Sequence, residues 1–290
     1  MNRNFLILLL SFFIASSGYG QDLMNMLGKD STSSEARSIE TFRSNHIILG
    51  QSVETIDKGN LNFMISHHFD KLSSGSYNFF GLDMSTIRFG LDYGISNWLS
   101  VGIGRSTYEK TFDGNLKFRL LRQKKDGVPF SVTYYGGMAV NSLQWAVPGR
   151  KNYFTSRLSY VNQLLISSRI GTELSLQLMP THVHKNLVAL KIDQNDIFAM
   201  GGGMSCKILK HLSVNAEYYY LLPGQAAKEA INSLSLGIDI ETGGHIFQLF
   251  LTNSHPLFER GFITETQGKW NKGDIYFGFN LSRAFAIGKK

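Results

Sequence analysis

The sequence predicts an all-β protein, an antiparallel up-and-down transmembrane barrel of about twelve strands behind a signal peptide and a short N-terminal segment. Three observations carry the prediction: an export-type N-terminus, two-residue alternation of apolar and polar side chains that persists to the C-terminus, and links that alternate between short and long. The clearest unit runs from Asn232 to Asn253. Leu234, Leu236, Ile238 and Ile240 alternate with Ser235, Gly237 and Asp239; the turn Glu241-Thr242-Gly243-Gly244 follows, and Phe247, Leu249 and Leu251 continue the pattern. Successive strand side chains point to opposite faces, so this is a hairpin with one oily and one polar face. In a secreted chain, repetition of that unit places the oily face against lipid.

In chain order, Asn2-Arg3-Asn4 followed by the apolar run Phe5–Ala15 and the small residues Gly18 and Gly20 reads as a signal peptide, cleaved between Gly20 and Gln21. Residues 21–58 form a leader, periplasmic or folded into the lumen. Its Asp30–Glu35 stretch is small and polar, whereas His46–Asp57 is apolar enough to be ordered but alternates poorly. The barrel occupies residues 59–290. Leu61, Phe63, Ile65 and Phe69 share a face in the first strand; Ile87, Phe89, Leu91 and Tyr93 in the second; Leu99, Val101 and Ile103 in the third. Similar patches fall near 111–121, 129–140, 153–168, 172–179, 196–208, 211–222, 232–241, 245–254 and 273–285, close to the ~9–11 residues of a tilted membrane strand. Short links near 95–97, 171–172, 209–210 and 242–244 alternate with longer ones at 71–83, 141–152, 180–195, 223–231 and 255–272. That alternation puts the short turns in the periplasm and the long loops outside. Tyr93, Trp98, Phe130 and Tyr153 fall near strand ends, where aromatic girdles meet headgroups. A soluble sandwich burying the same faces is the alternative.

Composition agrees. A mean hydropathy of -0.09, 29 glycines, 12% aromatic residues and only 5 prolines suit many strands joined by tight turns. The formal charge of +7 falls by one when Arg3 leaves with the signal peptide. That mild excess favours anionic lipid or solutes, and without a basic stripe interleaved with aromatics it does not point to nucleic acid. Cys206 stands alone and reads as a small wall residue.

No motif supplies chemistry. Gly102-Ile103-Gly104 and Gly201-Gly202-Gly203 lie within alternating strands and lack a phosphate-loop context. His182 and His184 follow Pro180 and read as exposed loop histidines, an incomplete metal set. His67 sits on the apolar face, where a lipid-side phospholipase would keep its base, while His68 faces inward; no serine can be assigned beside His67. The inward face carries Asp70, Arg88, Asp92, Lys117, Arg119, Arg157, Arg169, Glu217 and Asp239. These nine charges either pair across a closed interior, Arg88 and Arg119 with Asp92 or Asp70, or line a hydrated path.

The runs Thr41-Phe42-Arg43, Gly59–His68, YNFFGL at Tyr77–Leu82, TIRFGL at Thr86–Leu91, VGIGRS at Val101–Ser106, Lys117–Gln123, NAEYYY at Asn215–Tyr220, Asp239–His245 and RGFITET at Arg260–Thr266 are similar to the DUF5777 β-barrel family of Bacteroidota. The resemblance covers roughly residues 41–285. It implies an outer-membrane-type barrel and brings no catalytic residues with it. The resulting expectation is a monomer in the outer membrane of a Gram-negative bacterium. It would be a narrow channel or a binding scaffold for an unidentified solute or a periplasmic or outer-membrane protein, with lipid around it and no cofactor. The second expectation is an outer-membrane enzyme of the barrel phospholipase type.

Overall fold

The structure is a computed structural model that describes residues 38–224 and 229–287. Contacts divide the chain into residues 1–38 and 39–290, and the second unit is the folded body described here. The expected signal peptide and most of the leader lie outside the described residues, as do Gln225–Lys228 in the ninth-to-tenth strand link.

Twelve antiparallel strands close one barrel: β1 (Asn60–Lys71), β2 (Ser85–Ser96), β3 (Leu99–Ser106), β4 (Phe112–Leu121), β5 (Ser131–Val140), β6 (Leu158–Ile170), β7 (Leu174–Lys185), β8 (Asp196–Leu209), β9 (Leu212–Leu221), β10 (Ser233–Thr242), β11 (His245–Thr252) and β12 (Tyr276–Ala286). Each strand pairs with its sequence neighbours, and closure comes from β1 on β12, in a register that sets Asn60 opposite Ala286 and Ile65 opposite Leu281. A single closed sheet has no free edge and is not a two-layer sandwich.

Alternation along β10 shows how sequence sets the wall. Leu236 is 46% exposed on the outside, whereas Ser235 is 0% exposed and donates its hydroxyl to Thr252 Oγ1 at 2.9 Å. The same outer face carries Phe89, Leu91, Val101, Ile103, Leu176, Leu178, Phe198, Met200, Val214, Tyr218, Phe247, Leu249 and Leu251. A belt this large and oily would be unsatisfied in water and is matched by acyl chains. Trp98, at the β2–β3 turn, stacks on Phe118 with ring centroids 5.8 Å apart. Among the described residues no helix is long and apolar enough to cross a membrane.

Three expectations change. The seventh strand does not end at 179: β7 runs to Lys185, so His182 and His184 are wall residues rather than loop residues. The pairing of β7 with β6 shows no partner at Pro180, whose missing N–H interrupts the ladder without ending the strand. The link at 107–111 is short although it lies at the long-loop end, and 122–130 is the longer turn of the opposite end. Most consequentially, the link after β11 does not stay outside. It carries helix α1 (Glu259–Thr264) into the mouth of the barrel, burying Leu257, Phe258, Phe262 and Ile263.

The two faces of β10 make one stability prediction. Leu236→Arg should destabilise the barrel by about 2–4 kcal/mol if it lies near the bilayer midplane. Ser235→Arg should cost at least as much, because the space around it is filled. A urea refolding titration in lipid that finds Leu236→Arg neutral would contradict the lipid-facing assignment.

Candidate functional site

The inside of the barrel is occupied from both ends. From the short-turn end the chain enters at Ile39, whose N–H donates to Gln123 O at 3.1 Å, and folds into a hairpin within the lumen. His46 bridges Gln51, Ile47 N–H donates to Gly50 O at 2.8 Å, and Ser52 N–H donates to Asn45 O at 3.0 Å. The tip, Ile47-Ile48-Leu49-Gly50, is buried, as are Phe42 and Val53 on its two arms. Both faces of this segment meet the wall, which is why its sequence shows no two-residue alternation.

Inward side chains of the wall hold the hairpin by its backbone. Glu217, on β9, accepts the N–H of Ile48 at 3.2 Å, Leu49 at 2.9 Å and Gly50 at 3.0 Å. Lys117, on β4, donates to the carbonyls of Asn45 at 2.7 Å and of Ser52 and Glu54 at 3.0 Å each. An ammonium has three N–H donors, and three carbonyls take them. Gln177 donates to Gln51 O at 2.7 Å and accepts from Val53 N–H at 2.7 Å. Gln248 donates to Ile47 O and Asn280 to Ile48 O, both at 2.9 Å, and Thr133 donates to Val53 O at 2.6 Å. A Cβ on Gly50 would lie 2.3 Å from Tyr219 Oη, so glycine is required by space at this turn.

From the long-loop end, α1 packs its apolar side on the inward residues of β6 to β9. Phe262 meets Tyr219 with ring centroids 5.4 Å apart, and Val161, Val183, Ile197 and Leu221 complete an apolar pocket. Arg260 anchors the helix to Glu109 at 2.6 Å, and Lys185 holds Glu265 at 2.8 Å. The two insertions touch: Gln51 Nε2 donates to Glu259 Oε1 at 2.6 Å and lies 2.8 Å from His46 Nε2. Burial holds the His46 imidazole well below its ordinary range, with Lys117 and Arg88 adding repulsion, so its Nε2 is free to accept. Burial raises the Glu259 carboxyl, and Arg88 pulls it the other way.

The nine expected lumen charges separate into three groups. Arg88, Asp92, Lys117, Glu217 and Asp239 are buried inside. Arg88 does not pair with Asp92: it grips Asp113 through both Nε, at 3.0 Å, and Nη2, and both side chains are under a tenth exposed. The inward glycines Gly102 and Gly104 leave that room, since a Cβ at Gly104 would strike Arg88 and one at Gly102 would strike Asp92. Asp92 instead accepts from Asn45 Nδ2 at 2.8 Å, and Asp239 from Gln248 Nε2 at 2.9 Å. Arg119 and Arg169 lie at the short-turn rim against the entering chain. Arg119 sits 3.5 Å from Glu54 rather than beside Asp70, and Arg169 donates to Glu40 O at 3.1 Å. Asp70 and Arg157 are at the opposite rim, outside the lumen. Asp70 caps Lys71 N–H at 2.8 Å, and Arg157 lies over the Trp145 ring at 3.7 Å.

Sequence reasoning missed Asp113, Glu54 and Glu259 as partners, and Gln177, Gln248, Asn280 and Thr133 as hairpin holders. Gln177, Gln248, Asn280 and Thr133 were present in the sequence as neutral polar residues at inward positions, but the segment they hold was not recognisable. Small cavities remain inside the barrel. One of about 200 Å³ lies at the short-turn mouth between Arg119, Arg122, Glu40 and Asp57, and one of about 50 Å³ lies beside Arg169.

His67, His182 and His184 lie on the outer wall. His67 stacks on Phe279 with centroids 5.0 Å apart, and its register neighbours are Phe279 and Ile87. His182 and His184 both reach Asp196 Oδ1 at 2.8 Å, yet among the described residues no group of three or more His, Cys, Asp or Glu is arranged to hold a metal.

The chain belongs to the family described as membrane bound beta barrel domain (DUF5777), whose model matches residues 42–285. Among solved structures, the NanC porin is 8% identical with a TM-score of 0.47, covering 79% of this chain and 100% of that one. The KdgM porin is 9% identical with a TM-score of 0.46, covering 79% and 99%. Outer membrane phospholipase A from Escherichia coli is 11% identical with a TM-score of 0.45, covering 82% and 97%. At these scores the likenesses carry no inference about solute, partner or chemistry. Among curated proteins, none matches the chain.

Proposed function

We propose that this member of the DUF5777 family is a plugged outer-membrane barrel: a binding scaffold, closed at rest, rather than an open channel or an enzyme. The observation that carries this reading is the contact between Gln51 and Glu259, where an insertion from the short-turn end meets one from the long-loop end inside the wall. A pore would need its charges hydrated and facing passing ions. Here Lys117 and Glu217 are spent on backbone groups of the hairpin, and Arg88 on Asp113. The non-enzymatic reading is supported at His67, whose directly opposite residues on the two neighbouring strands are a phenylalanine and an isoleucine rather than a serine or an acid. The family description and the export-type N-terminus support the outer membrane of a Gram-negative bacterium as its location, with the Bacteroidota as source on the sequence resemblance.

Conductance tests the reading. Full-length protein refolded into a planar bilayer, its folded state checked by heat-modifiable migration, should give no steady current above the bare membrane. Regular, voltage-independent openings in the wild-type protein would overturn the closed barrel.

A further inference from the structure

We propose that the lumen is a polypeptide-binding site that reads main chain, occupied in cis by residues 41–55. Its class of partner in trans is an extended polypeptide hairpin with a glycine at its turn, entering from the short-turn end. The inference rests on the closed-barrel reading and says what the scaffold is built to hold.

A large share of the polar fit between wall and hairpin, including every contact at its tip, is made to peptide groups. Carbonyls of Thr41, Asn45, Ile47, Ile48, Gln51, Ser52, Val53 and Glu54 accept from Ser175, Lys117, Asn280, Gln248, Gln177 and Thr133. Amides of Ile48, Leu49, Gly50 and Val53 are taken by Glu217 and Gln177. Every polypeptide carries these groups, so this part of the fit does not depend on which side chains the hairpin has. Shape supplies the selectivity. Gly50 lies under Tyr219, and Ile47 fills the space beside Gly203, where a Cβ would stand 2.3 Å from Ile47 Cδ1. A partner therefore needs an aliphatic residue and then glycine at its turn.

The hairpin also has the character of a ligand. The sheet closes through β1 and β12 without it, and its own bridge is internal, between His46 and Gln51. Only the link at 56–59 ties it to β1. That tether gives it a high effective concentration, of order millimolar for a short link, so the site is filled until the hairpin is displaced. Side-chain contacts, among them Asn45 on Asp92, Arg43 on Ser213 and Glu241, Gln51 on Glu259 and Glu54 on Arg119, favour the chain's own hairpin over a competitor.

The test uses full-length protein carrying Gly50→Leu, which drives the hairpin from its seat, and a fluorescent synthetic peptide of residues 39–58 in detergent micelles. Saturable binding to the variant is expected, at least about tenfold tighter than to wild type, whose site is already filled. Adding Glu217→Ala should weaken that binding about a hundredfold, because three amides lose their acceptor. A peptide with Phe42→Leu and Val53→Ile should bind within about tenfold, and one with Gly50→Leu should not bind. Absence of binding by folded Gly50→Leu protein, equal binding to wild type, or indifference to Glu217→Ala would overturn the proposal. Should Gly50→Leu not fold, a full chain with a protease site replacing Ile56–Lys58, cut after folding, decides instead. Exchange of the cut hairpin for labelled peptide is expected, and its retention against a large excess would overturn the proposal. Steady wild-type conductance would sink the closed-barrel reading whatever the peptide does; a silent barrel that takes no peptide sinks only this inference.

Discussion

Glu217→Ala is expected to lower the stability of the folded barrel by about 3–5 kcal/mol, one of the two largest single effects this structure predicts. The carboxylate takes three amide donors from the turn Ile48-Leu49-Gly50, and all of these groups are buried. Charge-assisted bonds of this kind are the strong ones, and each buried N–H left unpaired costs roughly 1–3 kcal/mol. Some of the loss is recovered because the hairpin tip can withdraw and hydrate, which keeps the total below the simple sum. Glu217→Gln keeps the shape and one acceptor and should cost less, about 1–2 kcal/mol. A urea refolding titration of the three proteins checks the order. A neutral Glu217→Ala would mean that the hairpin tip is not seated on β9.

Replacing Arg88 and Arg119 with Gln together is expected to cost several kcal/mol, with Arg88 carrying most of it. Arg88 and Asp113 form a two-point pair with side chains 6% and 7% exposed, so removing the guanidinium strands a buried carboxylate. Breaking such a pair from one side costs about 3–5 kcal/mol. Arg119 is less committed: its partner Glu54 is 3.5 Å away, at the rim, and its other bond is to Asn97 O at 2.9 Å. Its share should be about 1 kcal/mol or less, as for partly exposed pairs. Adding Asp113→Asn to Arg88→Gln should return part of the loss, since the stranded charge is then removed. A double variant that refolds like wild type and passes a cation-selective current would show instead that these charges face water.

What was legible in the sequence follows from where each pattern originates. The strands were legible because lipid on one side and lumen on the other impose a strict two-residue rhythm, as in Leu234 to Ile240 and Phe247 to Leu251. That rhythm located all twelve strands and the outward and inward faces of β10. It failed for β7 past Met179, where Pro180 is a loop signal that the flanking strands override. Residues 41–55 left no rhythm because both faces of the segment meet the wall, and α1 left none because a helix does not alternate every second residue. The charges showed their face but not their partners. Arg88 and Asp113 are 25 residues apart and meet only because β3, with glycine at 102 and 104, lies flat between them. Asp70 and Arg157 were placed inward by parity, yet both lie where strands give way to loops and parity no longer fixes direction.

Hydrogen exchange of the N-terminal segment in the refolded full-length protein tests the plugged lumen most directly. The amides of Ile48, Leu49, Gly50 and Val53 all donate to buried wall residues. Peptides covering residues 41–55 should therefore exchange as slowly as those from β9 and β11, far slower than an unpaired segment next to a chain terminus. Complete exchange of these residues within seconds, while the strands stay protected, would contradict the account and leave the lumen empty of its hairpin.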